Sequence, residues 1–513
     1  MNHKTNSAGA VAAWLRPACL VSALALAAAT CPAQQAKPDA EEVVQMSAFE
    51  VVESSQDSYE ALNTRSLSGT NKSLDKLPIT IEAITQALMD DLGTTDVKDL
   101  LYTYATGVTP GENSAGSSTA EGRGDGDRFT LYTLGIRGLS AGAARRNGMF
   151  SFGWSADGFS MDRMEIIRGP QALIYGINPP GGVVNITTKK AVFGKTFARG
   201  TFRYDQEYSK RWLLDANVSG EYHLGKKGPA NRFAVRVALI RDDTNYWRDM
   251  LGKEARGEFI EAGIELHRPT RTTLRVEWEK MKDTSVNSVQ RVYLWGANKE
   301  AYGYVPDQTP LTLLLANNDS RLGQMFNGKI TWDTVESING TGNATRREQE
   351  TLSATLSSKL LPWLEAQVVA SKSDRYTRGV NAGSTMARAP LTGSNYLDAW
   401  AVLMRPTLTT AIMEPEMLRA TLSANFQTGA IVRHNLVVGW EKFRTKGNSE
   451  LYRFYEVDAN GSIKYTSSTP LDTDDRGRTL IPYLATDVST GDWPTWIALD
   501  KNEYTRDGKT YRA

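Results

Sequence analysis

Apolar and polar residues alternate one by one through most of the chain after Lys195. A period of two is the repeat of a β-strand, whose successive side chains point to opposite faces of the sheet. The alternating segments are Phe202–Tyr208, Trp212–Tyr222, Phe233–Leu239, Ile260–Leu266, Leu274–Glu279, Leu352–Leu356, Leu364–Ala370, Leu418–Phe426 and Leu436–Trp440. They predict a series of about ten antiparallel strands, each with one apolar and one polar face.

Soluble β-sandwiches show the same alternation, so three further features decide between the two classes. The strands are long, and aromatic residues lie near their ends: Tyr204, Tyr208, Trp212, Trp278 and Trp440. Short links such as His267–Thr272 alternate with long stretches such as Met281–Asn327 and Gly379–Pro415. Membrane barrels have aromatic girdles, short periplasmic turns and long external loops. The pattern therefore favours an outer-membrane type of β-barrel.

The region before Lys195 has a different sequence pattern, which predicts short helices and strands and no long run of alternating apolar and polar residues. The predicted elements are a strand at Leu77–Ile84, a helix at Gln86–Leu92 stopped by Gly93, a helix at Thr95–Tyr104, a Gly- and Ser-rich loop at Gly107–Asp127 and a strand at Tyr132–Gly138. Helix caps and glycine stops support the two helices. Mixed short elements over this length predict a compact α+β domain.

The segment Arg163–Lys190 closes this domain and carries its most informative pattern. Two β-type runs, Met164–Ile167 and Val183–Thr188, flank a centre punctuated by Gly169-Pro170 and by Pro179–Gly182. Proline fixes φ and glycine permits positive φ, so these residues force turns. The segment predicts two strands joined by a tightly turning connection.

The amino terminus has the features of a secretory signal. Lys4 and Arg16 precede the small or apolar stretch Ala18–Ala29, and a small-residue cleavage site follows near Ala33. This stretch is too short for a spanning helix, which needs about 20 apolar residues. Residues 1–33 are therefore predicted to be a signal peptide. Both cysteines, Cys19 and Cys31, fall inside it, and a lipidated Cys31 is the alternative.

Residues 34–69 are polar, show no sustained period and are predicted to form a mobile arm. Within the arm, Glu41–Val52 is a short β-prone island. Such an island can add a strand to the exposed sheet edge of a partner, although it could equally be a linker or a first strand of the next domain.

Composition narrows the function classes. Lysine and arginine number 59 against 58 aspartate and glutamate residues, which gives no electrostatic case for a nucleic-acid partner. Mean hydropathy is −0.39, a value that a barrel shares with soluble proteins because only alternate residues face lipid. The four histidines lie far apart in the sequence, so no metal cluster is predicted. No residues are nominated for catalysis, and no cofactor is expected.

Several motifs in order resemble the plug domain of TonB-dependent outer-membrane receptors. They are Leu77-Pro78, Gly135–Gly138, Arg146–Gly148, Arg163–Pro170, Tyr175-Gly176 and Gly181–Asn185. The resemblance implies an α+β plug domain at residues 70–191 inside an antiparallel transmembrane β-barrel that begins at residue 195 and runs to 513. It also implies a transport receptor, and not an enzyme, in the outer membrane of a Gram-negative-type bacterium.

The resemblance further assigns roles to particular residues. The arm would carry a TonB-box-like segment, Glu42, Val43, Val44, Gln45 and Met46, that binds a TonB-type energy-transducing protein. Arg137, Glu165 and Arg168 look like contacts between the plug and the barrel. Arg123, Arg128, Arg145, Arg146 and Trp154 are candidates for ligand binding at the plug apex. Arginines there suit an anionic ligand, so the expected cargo is a scarce ligand such as a ferric siderophore.

The sequence departs from this family pattern in length. A plugged transporter of this kind needs about 22 strands, whereas about ten are counted after Lys195, and the tail Lys501–Ala513 lacks a strand ending in an aromatic. We therefore expect a truncated or split form, or part of a longer product. Two alternatives are a smaller closed barrel, whose lumen would be too narrow for the plug, and a secreted soluble β-rich protein acting on carbohydrate.

Overall fold

The computed structural model describes part of the chain, all of it within the structural unit 46–513. The described residues are 59, 63–64, 72–73, 80–93, 97, 100–110, 134–140, 145–150, 157–169, 181–206, 208–223, 230–245, 252–286, 293–294, 344–381, 386–388, 401–404, 407–428, 432–453, 455–460, 462, 472–473, 479–480, 484–487, 501, 503–506 and 509–512. The predicted signal peptide, the TonB-box-like segment Glu42–Met46, and the ligand candidates Arg123, Arg128 and Trp154 lie outside them.

The region resembling a plug, called the plug below, contains short elements around one small mixed sheet. They are β1 (Asn63–Thr64), β2 (Lys72–Ser73), β3 (Ile81–Thr85), α1 (Gln86–Leu92), a π-helical turn (Leu100–Tyr104), β4 (Val108–Pro110), β5 (Leu134–Ile136), β6 (Leu139–Ser140), β7 (Arg145–Arg146), β8 (Met149–Phe150), β9 (Met161–Arg168) and β10 (Gly182–Thr188). The main plug sheet has the order β3-β9-β10-β7-β8, with β7 parallel to β10. The expected α+β domain is confirmed.

Helix α1 has the bounds and the termini that the sequence predicts. The Thr85 hydroxyl accepts a hydrogen bond from the Leu88 amide at 3.4 Å, which caps the first turn. Gly93 ends the helix with φ +66°, a left-handed conformation that glycine adopts without strain. Within the predicted second helix, Thr95–Tyr104, Val97 is α-helical and Leu100–Tyr104 forms a π-helical turn.

The π-helical turn contributes to the plug core. Val97, Leu100, Leu101 and Ala105 are all buried there. Their spacing is also the one that an ordinary helix uses for its buried face, so this pattern does not encode the wider turn, which the Ala105 amide closes by donating to the Leu100 carbonyl at 3.1 Å. The same core includes Met164, Ile166, Val184 and Ile186 from the two central strands, which are the strands predicted from the Arg163–Lys190 segment.

Two hairpins in the plug use the same turn chemistry. Arg137 and Gly138, between β5 and β6, have φ of +53° and +75°. Asn147 and Gly148, between β7 and β8, have φ of +51° and +75°. Positive φ at both central residues is the type I′ turn that joins two antiparallel strands, and Asn-Gly is its preferred sequence.

After the plug, nine long strands form one antiparallel sheet, called the wall below. They are β11 (Phe197–Tyr204), β12 (Lys210–His223), β13 (Ala230–Asn245), β14 (Gly252–His267), β15 (Thr272–Val286), β17 (Ala344–Leu361), β18 (Leu364–Asn381), β21 (Thr407–Thr428) and β22 (Val432–Arg453), paired in that order. Eight of the nine alternating segments lie within one of these strands, whereas Phe202–Tyr208 overlaps β11 only at Phe202–Tyr204. The fold class, a plug followed by a long antiparallel sheet, is confirmed.

The remaining strands are short and lie in smaller sheets. They are β16 (Tyr293–Leu294), β19 (Met386–Arg388), β20 (Ala401–Met404), β23 (Tyr455–Val457), β24 (Asp472–Thr473), β25 (Thr479–Leu480), β26 (Leu484–Asp487), β27 (Glu503–Arg506) and β28 (Lys509–Arg512). Strands β16, β19, β20 and β26 pair with one another, as do β23, β28 and β27. Strands β16, β19 and β20 come from the segments that connect long strands, and β26 comes from the chain after β22. Strands β23, β27 and β28 also come from the chain after β22.

The two faces of the wall are inverted relative to those of a soluble protein. On β13 the apolar Phe233 is 38% exposed, whereas Arg236 on the opposite face is 2% exposed. The large outward residues are exposed across the sheet: Trp212, Leu214, Val276, Leu352, Leu356, Val368, Leu418, Leu422, Phe426, Leu436, Val438 and Trp440. An apolar outer face with a polar inner face is the arrangement of a lipid-facing barrel wall.

The links between wall strands differ in length at the two ends. Residues 268–271, 362–363 and 429–431 connect strands at one end, whereas 287–343 and 382–406 connect them at the other. Because outer-membrane barrels have short periplasmic turns and long external loops, we call these the periplasmic and the external end. The plug joins the wall at the periplasmic end, through residues 189–196.

Candidate functional site: the plug–wall interface

The tip of the β7–β8 hairpin carries the densest contact between the plug and the wall. Arg146, on β7, lies 2.8 Å from Glu277 and 2.7 Å from Glu279, both on the inner face of β15. Burial alone would lower the pKa of Arg146, but Glu279 and Glu277 outweigh it and hold that pKa above its ordinary value. The guanidinium is therefore charged, and it binds two wall carboxylates at once.

Neighbouring plug residues complete this contact. The Thr188 hydroxyl donates to Glu277 Oε2 at 2.5 Å, and the Asn147 amide donates to the same oxygen at 3.3 Å. The side-chain amide of Asn147 also donates to Thr188 Oγ1 at 2.8 Å. The backbone amide of Gly148 donates to Asn185 Oδ1 at 2.8 Å. The type I′ turn is thus tied to β10 inside the plug and to Glu277 on the wall.

A second charged cluster lies where the plug chain leaves β10. Lys189 Nζ is 3.0 Å from Asp215 Oδ2 on β12, and Arg236 of β13 binds the same carboxylate at 2.7 Å. Arg236 also donates to the Lys190 carbonyl at 3.2 Å. Burial lowers the pKa of the Lys189 amino group, and Asp215 opposes that change only in part. Lys189 of the plug and Arg236 of the wall thus share the Asp215 carboxylate.

The segment between plug and wall is bound along its backbone. Asn217 accepts a hydrogen bond from the Val192 amide at 2.9 Å and donates to the Lys195 carbonyl at 2.6 Å. The Ala191 amide donates to the Glu261 carboxylate, and Arg275 holds Glu261 at 3.0 Å. These bonds satisfy a stretch of backbone that has no strand partner of its own.

Nearer the external end, the plug meets the wall at Asp157 and Phe159. Arg211 on β12 donates to Asp157 at 2.6 Å and to Asp242 on β13 at 2.9 Å. The Phe159 ring is fully buried against the wall and lies over Gly257, where a Cβ atom would come within 2.6 Å of the ring. A wall glycine thus creates the space that a plug aromatic fills.

We expect Asp157→Asn to destabilise this contact by about 1.5 kcal/mol, because Arg211 loses one of its two charge-assisted hydrogen bonds to this side chain while it keeps its bond to Asp242. The Asn side chain can still accept from the Phe159 amide as Asp157 does. Urea unfolding of the purified chain in detergent measures the change.

The control is Asp243→Asn, which removes the exposed ion pair of Asp243 with Arg241, with side chains 40% and 58% exposed. It should change the free energy of unfolding by less than about 0.5 kcal/mol. Equal effects of the two substitutions would contradict a special role for Asp157.

The structure places the sequence-predicted residues as follows. Arg168 is buried and binds Glu82 and the Thr106 carbonyl, both in the plug. Glu165 is buried and lies 3.3 Å from Arg163 on the same plug strand. Arg137 is exposed at its turn, where its amide donates to the Gly107 carbonyl. The plug–barrel role of these three residues stays a prediction.

Two ligand candidates lie within the described residues, at β7. Arg145 is buried, and Arg146 makes the wall contact described above, so the structure gives Arg146 a role that the sequence did not suggest. The residues that sequence reasoning missed are mostly on the wall: Arg211, Asp215, Asn217, Arg236, Gly257, Glu261, Glu277 and Glu279. Their signal was present, since charged residues recur at alternate positions on the inner face of long strands.

Among the described residues, no helix is long and apolar enough to cross a membrane. Within the same residues, no group of His, Cys, Asp or Glu side chains is arranged to hold a metal ion.

Residues 73–183 match the model of the TonB-dependent receptor plug domain family. This part of the chain is therefore a TonB-dependent receptor plug domain. The matched range falls inside the predicted plug, 70–191, and ends within β10.

Curated relatives share the sequence of this chain over part of its length. The metal-pseudopaline receptor CntO of Pseudomonas aeruginosa is 27% identical over 228 residues, which cover 44% of this chain and 29% of that protein. The ferrioxamine receptor of Yersinia enterocolitica is 29% identical over 138 residues, 26% of this chain and 19% of that protein. The alignments thus span less than a third of either relative. Both relatives are receptors and not enzymes.

Solved structures share the fold. BauA, the ferric preacinetobactin receptor from Acinetobacter baumannii, aligns with a TM-score of 0.55 at 15% identity, over 79% of this chain and 52% of that one. FpvA from Pseudomonas aeruginosa, bound to pyoverdine, aligns with a TM-score of 0.57 at 14% identity, over 80% and 53%. This chain therefore spans about half of each solved chain. A relative from Vibrio cholerae is named an iron-regulated outer membrane virulence protein, and the ferripyoverdine receptor of Pseudomonas aeruginosa is described as a receptor of the outer membrane.

Proposed function

We propose that this receptor takes up a scarce metal chelate, a ferric siderophore being the favoured ligand, by active transport across the outer membrane. The observation that supports it is the plug on the polar inner face of a wall whose outer face is apolar. An apolar outer face of this extent also argues against the soluble, carbohydrate-active alternative, because soluble proteins rarely expose large contiguous apolar surfaces.

The chemistry of the interface fits a plug that must both seal and move. Its described contacts are mainly ion pairs and hydrogen bonds, as at Arg146, Lys189 and Asp157. Water can replace such bonds one at a time, so their net strength is modest although they are numerous. A wide apolar interface would expose its whole area to water whenever the plug moved.

The ligand class follows from the relatives' names, which include receptors for metal-pseudopaline, ferrioxamine and ferric preacinetobactin. Ferric chelates of this kind are commonly anionic, and arginine binds anionic oxygen groups well. We infer that Arg123, Arg128 and Arg145, with Trp154, contribute to ligand binding. Arg146 remains a candidate, although its two bonds to wall glutamates give it a structural task in the resting state.

Energy would come from a TonB-type partner. We infer that Glu42–Met46, in the arm between the signal peptide and the plug, adds a strand to that partner. Residues 1–33 as signal peptide, 34–69 as arm, 70–191 as plug and 195–513 as barrel portion form the proposed domain order. Lipid around the apolar outer face completes the set of partners.

Uptake of radioactive iron tests the proposal in cells that encode the receptor. Ferrioxamine, ferripyoverdine and ferric preacinetobactin serve as the probes, and deletion of the gene should reduce uptake of at least one of them about tenfold or more.

A variant lacking residues 42–46 should lose uptake but keep binding of the same chelate at the cell surface, because the arm is separate from the proposed ligand site. Loss of both activities together, or of neither, would contradict the role given to this segment. Uptake of every probe at the same rate with and without the gene would contradict the proposed function.

A further inference from the structure

The inner face of the wall changes character between β15 and β17. Strands β12 to β15 direct charged or closely packed groups at the plug, among them Arg211, Asp215, Glu261 and Glu277. Strands β17 and β18 present mainly small hydroxyls on the same face, together with Arg347, Gln349 and Arg375. The hydroxyls belong to Thr345, Thr351, Ser353, Thr355, Ser357, Ser371, Ser373 and Thr377. The change is in the side chains, because the strand pairing continues unbroken.

A cavity lies between these hydroxyls and the plug. It is lined by Arg146, Asn147 and Met149 of the β7–β8 hairpin, by Thr351, Ser353, Ser371 and Ser373, and by further wall residues that include Glu277 and Arg375. About 30 Å³ of it is open to the centre of a water molecule, which is room for about two waters. This space is too small to hold a chelate.

The β7–β8 hairpin is the movable boundary of the cavity. On one side Arg146 binds Glu277 and Glu279. On the other, Arg419 of β21 donates to the Gly148 carbonyl at 2.6 Å, and Met149 packs against Val369 and Met417. The hairpin has only two residues in each strand, so its position depends on these contacts more than on its own ladder.

We propose that the β7–β8 hairpin is the gate of the transport passage and that the hydroxyl face of β17 and β18 is the surface along which the ligand moves. This inference rests on the proposed function. The ligand that suits such a surface is a polar chelate rich in hydrogen-bonding oxygens.

Hydroxyls suit a passage because each one both donates and accepts hydrogen bonds and carries no charge. A neutral hydrogen bond is worth only about 1 kcal/mol net, so a ligand can exchange one hydroxyl for the next without being trapped. The hydroxyls of Thr351 and Ser373 lie 2.9 Å apart across the two strands, and either one can be the donor of the hydrogen bond between them. The Arg146 contact supplies the strong bond that must break once, when the gate opens.

A thiol-accessibility experiment tests the gate without a ligand. Ser371→Cys in the full chain, in outer membranes, is treated with a charged methanethiosulfonate reagent, and the unsubstituted chain gives the background. We expect slow labelling of Ser371→Cys. Adding Arg146→Gln should make the labelling about tenfold faster, because a loss of 1.4 kcal/mol from the free energy that holds the hairpin against the wall raises the population with an open gate tenfold.

Two control positions make this result specific. Ala370→Cys lies next to Ser371 but on the apolar outer face, so Arg146→Gln should leave its labelling rate unchanged. Ser219→Cys lies on the wall where the Gly194 amide donates to Ser219 at 2.8 Å, and its rate should also stay unchanged. An equal acceleration at Ser219→Cys would mean that the whole plug had left the wall, and an unchanged rate at Ser371→Cys would mean that the hairpin is no gate. Either result would overturn the proposal.

Uptake of radioactive iron then tests the surface. Ser353 and Ser371 are opposite each other on the inner face, and Ala354 and Ala370 are the opposite pair on the outer face. Changing both serines to leucine should reduce the uptake of the transported probe about tenfold, with its surface binding unchanged, whereas changing both alanines to leucine should have no effect.

Normal uptake by the double-serine variant would overturn the inference and leave the proposed function intact. Absence of uptake by the unsubstituted receptor, for all three probes, would instead contradict the proposed function, and the thiol experiment would still decide whether the hairpin moves.

Discussion

Gly257→Val is expected to displace the plug from β14 and to destabilise the chain by about 3 kcal/mol. A Cβ at this position would lie 2.6 Å from the Phe159 ring and 2.7 Å from Ile240, well inside van der Waals contact. Both neighbours belong to one buried apolar cluster with Ala238, Ala255, Phe259 and Met281. Overpacking of such a site usually costs about 1–3 kcal/mol, and here the plug can relieve it by moving away.

The second substitution Phe159→Ala identifies the cause. Alone it should destabilise the chain by about 3 kcal/mol, the usual effect of removing a buried aromatic ring. In the Gly257→Val background it should cost much less, because the valine side chain enters the space the ring leaves. Urea unfolding of the four proteins gives the coupling free energy of the cycle.

Gly439→Val on β22 is the control, since its nearest atom, the Ala420 carbonyl oxygen, is 3.9 Å from an added Cβ. It should change the stability little. Strict additivity of Gly257→Val and Phe159→Ala would show that the ring and the wall glycine do not interact.

Glu277→Ala is expected to cost about 3–4 kcal/mol, because three plug groups lose one buried acceptor. Arg146 would keep Glu279, but Asn147 and Thr188 would each lose their bond to the wall. Removing one partner of a buried ion pair typically costs about 3–5 kcal/mol. Hydrogen exchange should show faster exchange of the Gly148 amide, which lies in the hairpin that Glu277 holds.

Glu350→Ala is the matched control on the neighbouring strand. Glu350 is 3.7 Å from Lys280 across β15 and β17, and both side chains are about half exposed on the outer face. Its loss should cost no more than about 1 kcal/mol. If Glu350→Ala and Glu277→Ala had the same effect, the plug contact would have no greater weight than a surface ion pair.

Much of the fold could be predicted because period-two alternation is a local property. The run Phe233–Leu239 specifies a strand and its two faces without knowledge of any neighbour, and β13 has both. The Asn147-Gly148 turn and the Gly93 helix stop are equally local, since each depends on positive φ at one or two residues. The π-helical turn at Leu100–Tyr104 was not predictable in this way, because the spacing of its buried residues is also that of an ordinary helix.

The interface could not be predicted, because its pairs are far apart in the sequence. Arg146 and Glu277 are 131 residues apart, and Lys189 is brought to Asp215 only by the position of the plug against the wall. The family resemblance drew attention to Arg168 and Glu165, whose described partners are inside the plug. The sequence did show charges at alternate positions on long strands, such as Glu277 and Glu279, and such inward charges call for a partner.

Strands β21 and β22 have a further consequence for the receptor on the living cell. Each is 22 residues long, about twice the 9–11 residues that a bilayer crossing requires. Counted from the turn at the periplasmic end, Trp440 marks the upper headgroup level. The thirteen residues from Glu441 to Arg453 extend roughly 40 Å beyond it along the strand at 3.3 Å per residue, which is about 30 Å in height at a strand tilt of about 45°. This part of the β21–β22 hairpin therefore lies outside the lipid, and an antibody raised against Gly447–Leu451 should bind intact bacteria.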